Sequence, residues 1–169
     1  MLEDEIPGTG RPEAPPRATL VLPAGARANR TAIWMGGAHS LGGVDVVVEQ
    51  MREAWLVETA GDMPAAYHQT AARTLYCVFA DIEEVPSVIE RIHATAAAIA
   101  AASRLGAQAP PEAYIVCSQG LNRSGLVTGL VLRHLGIPGA EAIELIRRTR
   151  PGALTNSAFE KLVMDASFG

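Results

Sequence analysis

In the segment IVCSQGLNRSGLVTGLVLRHLG (115–136), Cys117 closes an apolar run, Ser118, Gln119, Gly120, Leu121 and Asn122 follow, and Arg123-Ser124-Gly125 opens a helical pattern. A tight turn feeding a helix start points backbone N–H groups into a concave cradle that suits an anion. Gly120 at the middle of the turn supplies the unusual dihedrals and the close backbone approach such a cradle needs. A thiol at the rim of that cradle is stabilised as thiolate by the same N–H groups and helix dipole, which makes Cys117 a candidate nucleophile. Arg123 offers a planar fork that binds two oxygens of a phosphate and follows their charge into a transition state. Ser124 is placed to hydrogen-bond the sulfur and ease its departure from a covalent intermediate. The spacing therefore points to a nucleophile and a clamp facing one phosphate, held by residues 118–123.

The rest of the chain reads as elements that would carry this loop. TAIWM (31–35) is a short strand, followed by the Gly-rich loop that holds His39. VDVVVEQMREA places Val44, Val47, Val48 and Met51 at helical spacing, and WLVE (55–58) is the next strand. TAGDMPAAYHQTAA reads as a loop, and RTLYCVFAD as a β-branched and aromatic strand ending at Asp81. Glu83, Glu84 and Pro86 open a helix with Val88, Ile89, Ile92, Ala96 and Ile99 on one face and Gly106 as its stop. AYIVC is the strand that delivers Cys117. From Arg123 onward the pattern is helical, with breaks at Gly136-Ile-Pro-Gly and Arg150-Pro-Gly. This alternation predicts a three-layer α/β/α sandwich with a central mixed sheet. Residues 1–18, rich in Pro, Gly and acidic groups, are expected to form a flexible arm, and residues 19–169 the domain.

The run CSQGLNRSG matches the C-x5-R-[ST] phosphate loop of the cysteine-dependent protein tyrosine phosphatase superfamily. AIWMGG, AWLVETAG, LYCVFAD, IVCSQGLNRSG and IRRTRPGALTNSAFEKLV fall in the order seen in the compact dual-specificity phosphatases, so the resemblance spans about residues 30 to 166. It implies a cysteinyl-phosphate mechanism without metal or cofactor, and it implies that Asp81 is the acid that protonates the leaving oxygen and later activates water. Glu83 and Glu84 are the rival carboxylates. Asn156 and Phe159 resemble the late segment that packs behind the phosphate loop in that family, where Asn156 would brace the loop or a water. Val116 stands where the family usually has histidine, which bears on how the loop is held and how reactive the thiol is.

A chain of 169 residues, 49% apolar, is long enough for one domain with a proper core. Its formal net charge is -4 and Lys161 is its only lysine, so neither a nucleic-acid tract nor a polybasic membrane anchor is present. Two cysteines and a start unlike a signal peptide lead to the expectation of a cytoplasmic protein. ATAAAIAAASRLG is too short and too Ala-rich for a membrane span. Cys77 reads as a buried structural thiol, with a regulatory disulfide to Cys117 as the other reading. His39 is a candidate pocket residue; His68, His93 and His134 lack metal-ligand spacing, so no metal is implied. Trp34 and Trp55 are expected in the core.

The order of acid before cysteine differs from the low-molecular-weight phosphatases and arsenate reductases, and the Arg-Ser ending with an upstream Asp fits phosphoryl transfer better than a rhodanese-type sulfurtransferase. Uncharged Ser118, Gln119, Leu121 and Asn122 disfavour a phosphoinositide substrate, while the likeness of GLNRSG to RNA 5′-triphosphatase loops is opposed by the missing basic surface. The sequence thus points to a phosphorylated protein or a small phosphomonoester as substrate. A catalytically weak phosphate-binding module is the alternative.

Overall fold

Successive side chains along a strand point to opposite faces of the sheet, and the central strands β3 (Trp55–Glu58) and β5 (Glu112–Cys117) are buried on both. The computed structural model describes residues 17–39 and 43–168. Among these, β1 (Thr19–Leu22), β2 (Ala32–Gly37), β3 (Trp55–Glu58), β4 (Arg73–Tyr76) and β5 (Glu112–Cys117) form one sheet in the order β1-β2-β5-β3-β4. β1 runs antiparallel to β2, and the other pairs are parallel, which makes the sheet mixed as expected. Ile33, Met35, Val57, Ala113 and Ile115 face one side, where they meet Leu126, Val127 and Leu130. Leu56, Tyr114 and Val116 point to the other, where they meet Met51 and Met63.

The helices are α1 (Ala65–Thr70), α2 (Ile89–Ala102), α3 (Arg123–His134), α4 (Gly139–Thr149) and α5 (Ser157–Asp165). The longer four supply the larger core, with α3 buried along most of its length, and α1 with a 3-10 turn over Val48–Met51 covers the smaller one. The carboxyl ends of β2, β3, β4 and β5 therefore share one edge of the sheet, the side on which open α/β sheets bind ligands.

Several expected elements differ. The helix expected from Val44 shrinks to the 3-10 turn, because Asp45 is fixed to Gly37 twice: its N–H donates to Gly37 O (2.9 Å) and its Oδ2 accepts from Gly37 N (2.8 Å). Those bonds hold residues 44–46 in a bend outside any helix. The segment expected as a loop after β3 contains α1, which begins directly after Pro64. The strand expected to reach Asp81 ends at Tyr76, because Glu58, its register partner, is the last residue of β3. α2 begins at Ile89, since residues 81–83 are drawn away toward α5 (below), and it stops at Ala102, before Gly106. Trp34 and Trp55 are half-buried at the sheet surface; Trp34 stacks on Tyr114, and Arg73 lies over Trp55.

Most of the expected arm, residues 1–16, lies outside the described residues. Its last two positions touch the domain: Arg17 O accepts from Arg150 (2.8 Å) and Ala18 N donates to Asp45 O (3.3 Å).

Candidate active site

The loop after β5 is turned inside out relative to an ordinary strand-to-helix connection. Cys117 O accepts from Ala38 N (2.9 Å) and Ser118 O from His39 N (2.8 Å). Gln119 O accepts from Arg150 Nη2 (3.2 Å), Gly120 O from Arg150 Nε (2.6 Å), and Leu121 O from Leu154 N (3.1 Å). Five successive carbonyls are thus bound to the scaffold. In a planar trans peptide the N–H points opposite the C=O, so the N–H groups of residues 118–122 turn toward the inside of the loop. Gly120 shows the result: at φ +75° its N–H donates to Cys117 Sγ at 3.2 Å. A Cβ at Gly120 would come within 2.6 Å of both Arg150 and the Gly36 backbone, and one at Gly37 within 2.7 Å of the Gln119 and Ser118 backbone. The cradle therefore requires glycine at these contacts.

Arg150 is the brace behind it. Its guanidinium is fully buried and pairs with the equally buried Asp45 at 2.7 Å. The same fork donates to Arg17 O, Thr19 Oγ1 and the two loop carbonyls. A planar five-donor group suits this task, and a lysine could not reach all of these acceptors at once. Sequence reasoning missed both residues: Arg150 read only as part of a helix break, and no local signal links it to Asp45. Val116 packs into the smaller core, and its carbonyl accepts from both Thr59 N (2.9 Å) and Thr59 Oγ1 (2.7 Å). Arg150 and the His39 backbone hold the loop carbonyls from behind.

The side chains expected to do chemistry converge inside this frame. Cys117 Sγ lies 3.4 Å from Ser124 Oγ, and both residues are buried. Arg123 begins α3; its Nη1 donates to Phe79 O (3.4 Å) and its Nη2 to Ser118 Oγ (3.2 Å), while its buried Nε has no partner. A buried donor without an acceptor is costly, and a phosphate oxygen would satisfy it.

Asp81 sits on the extended segment after β4. Its Oδ2 accepts from Asn122 Nδ2 (3.1 Å) and its Oδ1 from Asn156 Nδ2 (2.8 Å). Asn156 also donates to Ile82 O and accepts, as the cap of α5, from Phe159 N. Asn122 Oδ1 in turn accepts from Asn156 N (3.0 Å). The two amides tie Asp81 to the end of the loop after β5. Glu83 instead accepts from Ser157 N and Ser157 Oγ at the start of α5, and Glu84 lines an apolar cleft beside α5.

Gln119 donates to His39 O, and the mostly exposed His39 ring lies 3.3 Å from Asp62 Oδ2. Asp62 is the other residue that sequence reasoning missed; it accepts from Ser118 Oγ at 2.7 Å. Close by, burial pushes the Glu58 carboxyl up, opposed by the Met63 N–H and by His68. Cys77 and Cys117 are each one residue past a register partner of Glu58, on strands that flank β3 on its two sides. Two strand spacings separate them, about 9.6 Å, beyond the reach of a disulfide. The regulatory-disulfide reading fails on that geometry, and both thiols are free. Among the described residues, no group of three or more His, Cys, Asp or Glu could hold a metal ion, and no helix is long and apolar enough to cross a membrane.

No protein-family model and no curated protein matches the sequence. Solved structures do match. Human DUSP28 is 23% identical at a TM-score of 0.65, over 88% of this chain and 91% of that one. Tk-PTP in its active form is 20% identical at 0.57, over 82% and 93%. Human tyrosine phosphatase-like serine/threonine/tyrosine-interacting protein is 14% identical at 0.62, over 89% and 95%.

Proposed function

We propose that this chain, which has the fold of the compact dual-specificity phosphatases within the protein tyrosine phosphatase superfamily, is a phosphoric monoester hydrolase working through a cysteinyl-phosphate. The observation that carries the reading is the inverted loop: five outward carbonyls, inward N–H groups, a thiol at their focus and an arginine Nε awaiting an acceptor. In this mechanism the Cys117 thiolate attacks phosphorus in line. The loop N–H groups and Arg123 hold the three non-bridging oxygens, and Asp81 gives its proton to the leaving oxygen as the P–O bond breaks. Water then attacks the phosphocysteine, losing its proton to Asp81, while the Ser124 hydroxyl donates to the departing sulfur. Inorganic phosphate leaves and the thiolate is restored.

The substrate class in this reading is a phosphorylated protein or a small phosphomonoester. Asp62 and Asp81 beside the loop disfavour polyanions such as a phosphoinositide or an RNA 5′-triphosphate. A cytoplasmic setting belongs to the same reading, supported by two unpaired thiols. A second reading, a phosphate-binding module with weak turnover, draws support from Asp81, both of whose carboxylate oxygens are engaged by asparagine amides.

Hydrolysis of an aryl phosphate between about pH 5 and pH 8, for wild type, Cys117→Ser and Asp81→Asn, decides between them. Turnover that vanishes in Cys117→Ser and falls at least about a hundredfold in Asp81→Asn supports the enzyme. Phosphate binding without turnover supports the module.

A further inference from the structure

We infer that Asp62 is a positioning residue for Arg123, acting through the Ser118 hydroxyl. This inference rests on the phosphate-binding reading of the loop. Ser118 Oγ has one hydrogen, and it goes to Asp62 Oδ2 at 2.7 Å, a short bond to a carboxylate. With that hydrogen committed, the hydroxyl presents only lone pairs to its other neighbour, Arg123 Nη2 at 3.2 Å. Asp62 Oδ1 is enclosed without a partner, so Oδ2 alone carries the link.

The chain Asp62–Ser118–Arg123 has a consequence for the guanidinium. Phe79 O holds Nη1, Ser118 holds Nη2, and together they fix the plane of the fork with Nε left over. Without Asp62 the Ser118 hydroxyl is free to rotate, and in some rotamers its hydrogen points at the Arg123 N–H, where attraction becomes repulsion. Arg123 then loses one of its two anchors and must be ordered by the phosphate itself, which weakens binding. The arrangement also withdraws the Ser118 hydroxyl from the phosphate: it serves the arginine and leaves the oxygens to the loop N–H groups.

Deleting a carboxylate next to an anion site also removes repulsion, so a single deletion mixes two effects of opposite sign. Asp62→Asn and Asp62→Ala separate them, since both drop the charge but only asparagine keeps an oxygen that accepts from Ser118. Titration calorimetry with inorganic phosphate, together with kcat and KM for an aryl phosphate, reads the difference. Asp62→Ala is expected to bind phosphate about tenfold more weakly than Asp62→Asn, the worth of one hydrogen bond to this network. In a Ser118→Ala background that gap closes, which a merely structural role for Asp62 would not produce.

Equal phosphate affinity in Asp62→Asn and Asp62→Ala, or an unchanged gap in the Ser118→Ala background, overturns the inference. Should Asp62→Ala fail to fold, Ser118→Ala alone decides: phosphate affinity equal to wild type overturns it, and a loss of several-fold upholds it. Wild type that binds phosphate but does not turn over would end the hydrolase reading and leave this test intact. Wild type that binds no phosphate ends both.

Discussion

Replacing Arg150 with methionine removes the brace behind the Cys117–Asn122 loop while keeping much of the side-chain volume. Asp45, fully buried, loses its counter-ion at 2.7 Å, and the carbonyls of Gln119 and Gly120 lose their donors. Taking one partner from a buried pair costs about 3–5 kcal/mol, against a total stability of roughly 5–15 kcal/mol for a domain. For a chain of this size each kcal/mol moves the melting temperature by about 2–4 °C, so a drop of roughly 6–20 °C is expected by scanning calorimetry. The freed peptide planes no longer hold their N–H groups inward, and kcat/KM should fall by roughly the 10²–10³ seen when one oxyanion donor is lost. Arg150→Lys separates the two effects. It retains the charge facing Asp45 but not the fork, so it should recover part of the melting temperature and little of the activity. An Arg150→Met protein that melts within about 2 °C of wild type and keeps its kcat/KM would refute this account of the loop.

Asn156→Ala deletes both the amide that holds Asp81 and the cap of α5; about 1 kcal/mol of stability should go with the cap, and steady-state kinetics should show kcat falling more than KM rises. Glu83→Gln, which touches only the start of α5, should leave kcat within about twofold, and a large loss would return Glu83 to candidacy as the acid. Burial, with His93 and Arg104 nearby, pushes the His134 imidazole below its ordinary range. The unfolded chain therefore takes up that proton first, and stability should fall as pH drops from the ordinary histidine value of about 6.5 through the lowered one. Melting curves of wild type and His134→Gln at several pH values should diverge in that window and run parallel above it. Burial pushes the Cys77 thiol up and leaves it unexposed; mild peroxide treatment should produce no Cys77–Cys117 disulfide, checked by non-reducing peptide mapping.

The strands over TAIWM, WLVE and AYIVC were legible because their residues carry the signal themselves, whereas β1 (Thr19–Leu22) was not anticipated. WLVE is observed at its expected bounds, and EAYIVC delivers Cys117 to the edge of the sheet. Helical breaks at Gly136 and Pro151 were legible for the same reason, since glycine and proline act locally. The Val44–Met51 periodicity misled because a contact across the sheet edge, Asp45 to Gly37, outweighs a local preference. The start of α2 was misplaced in the same way. Asn156 and Ser157, more than seventy residues on, hold Asp81, Ile82 and Glu83 outside the helix. At the candidate site, Cys117 and Arg123 could be singled out from type and spacing, and Asp81 only through the family resemblance. Asp45, Asp62 and Arg150 could not, because each acts on a residue that only folding brings near: Arg150 and Asp45 are 105 positions apart, and Asp62 and Ser118 are 56 apart.

The most direct test is to mix the protein with an aryl phosphate, quench in acid at early times, and search the Cys117 peptide for phosphate by mass spectrometry. The account predicts a cysteinyl-phosphate on Cys117 in wild type and none in Cys117→Ser. Turnover with no phosphate on Cys117, or turnover that survives Cys117→Ser, would contradict it.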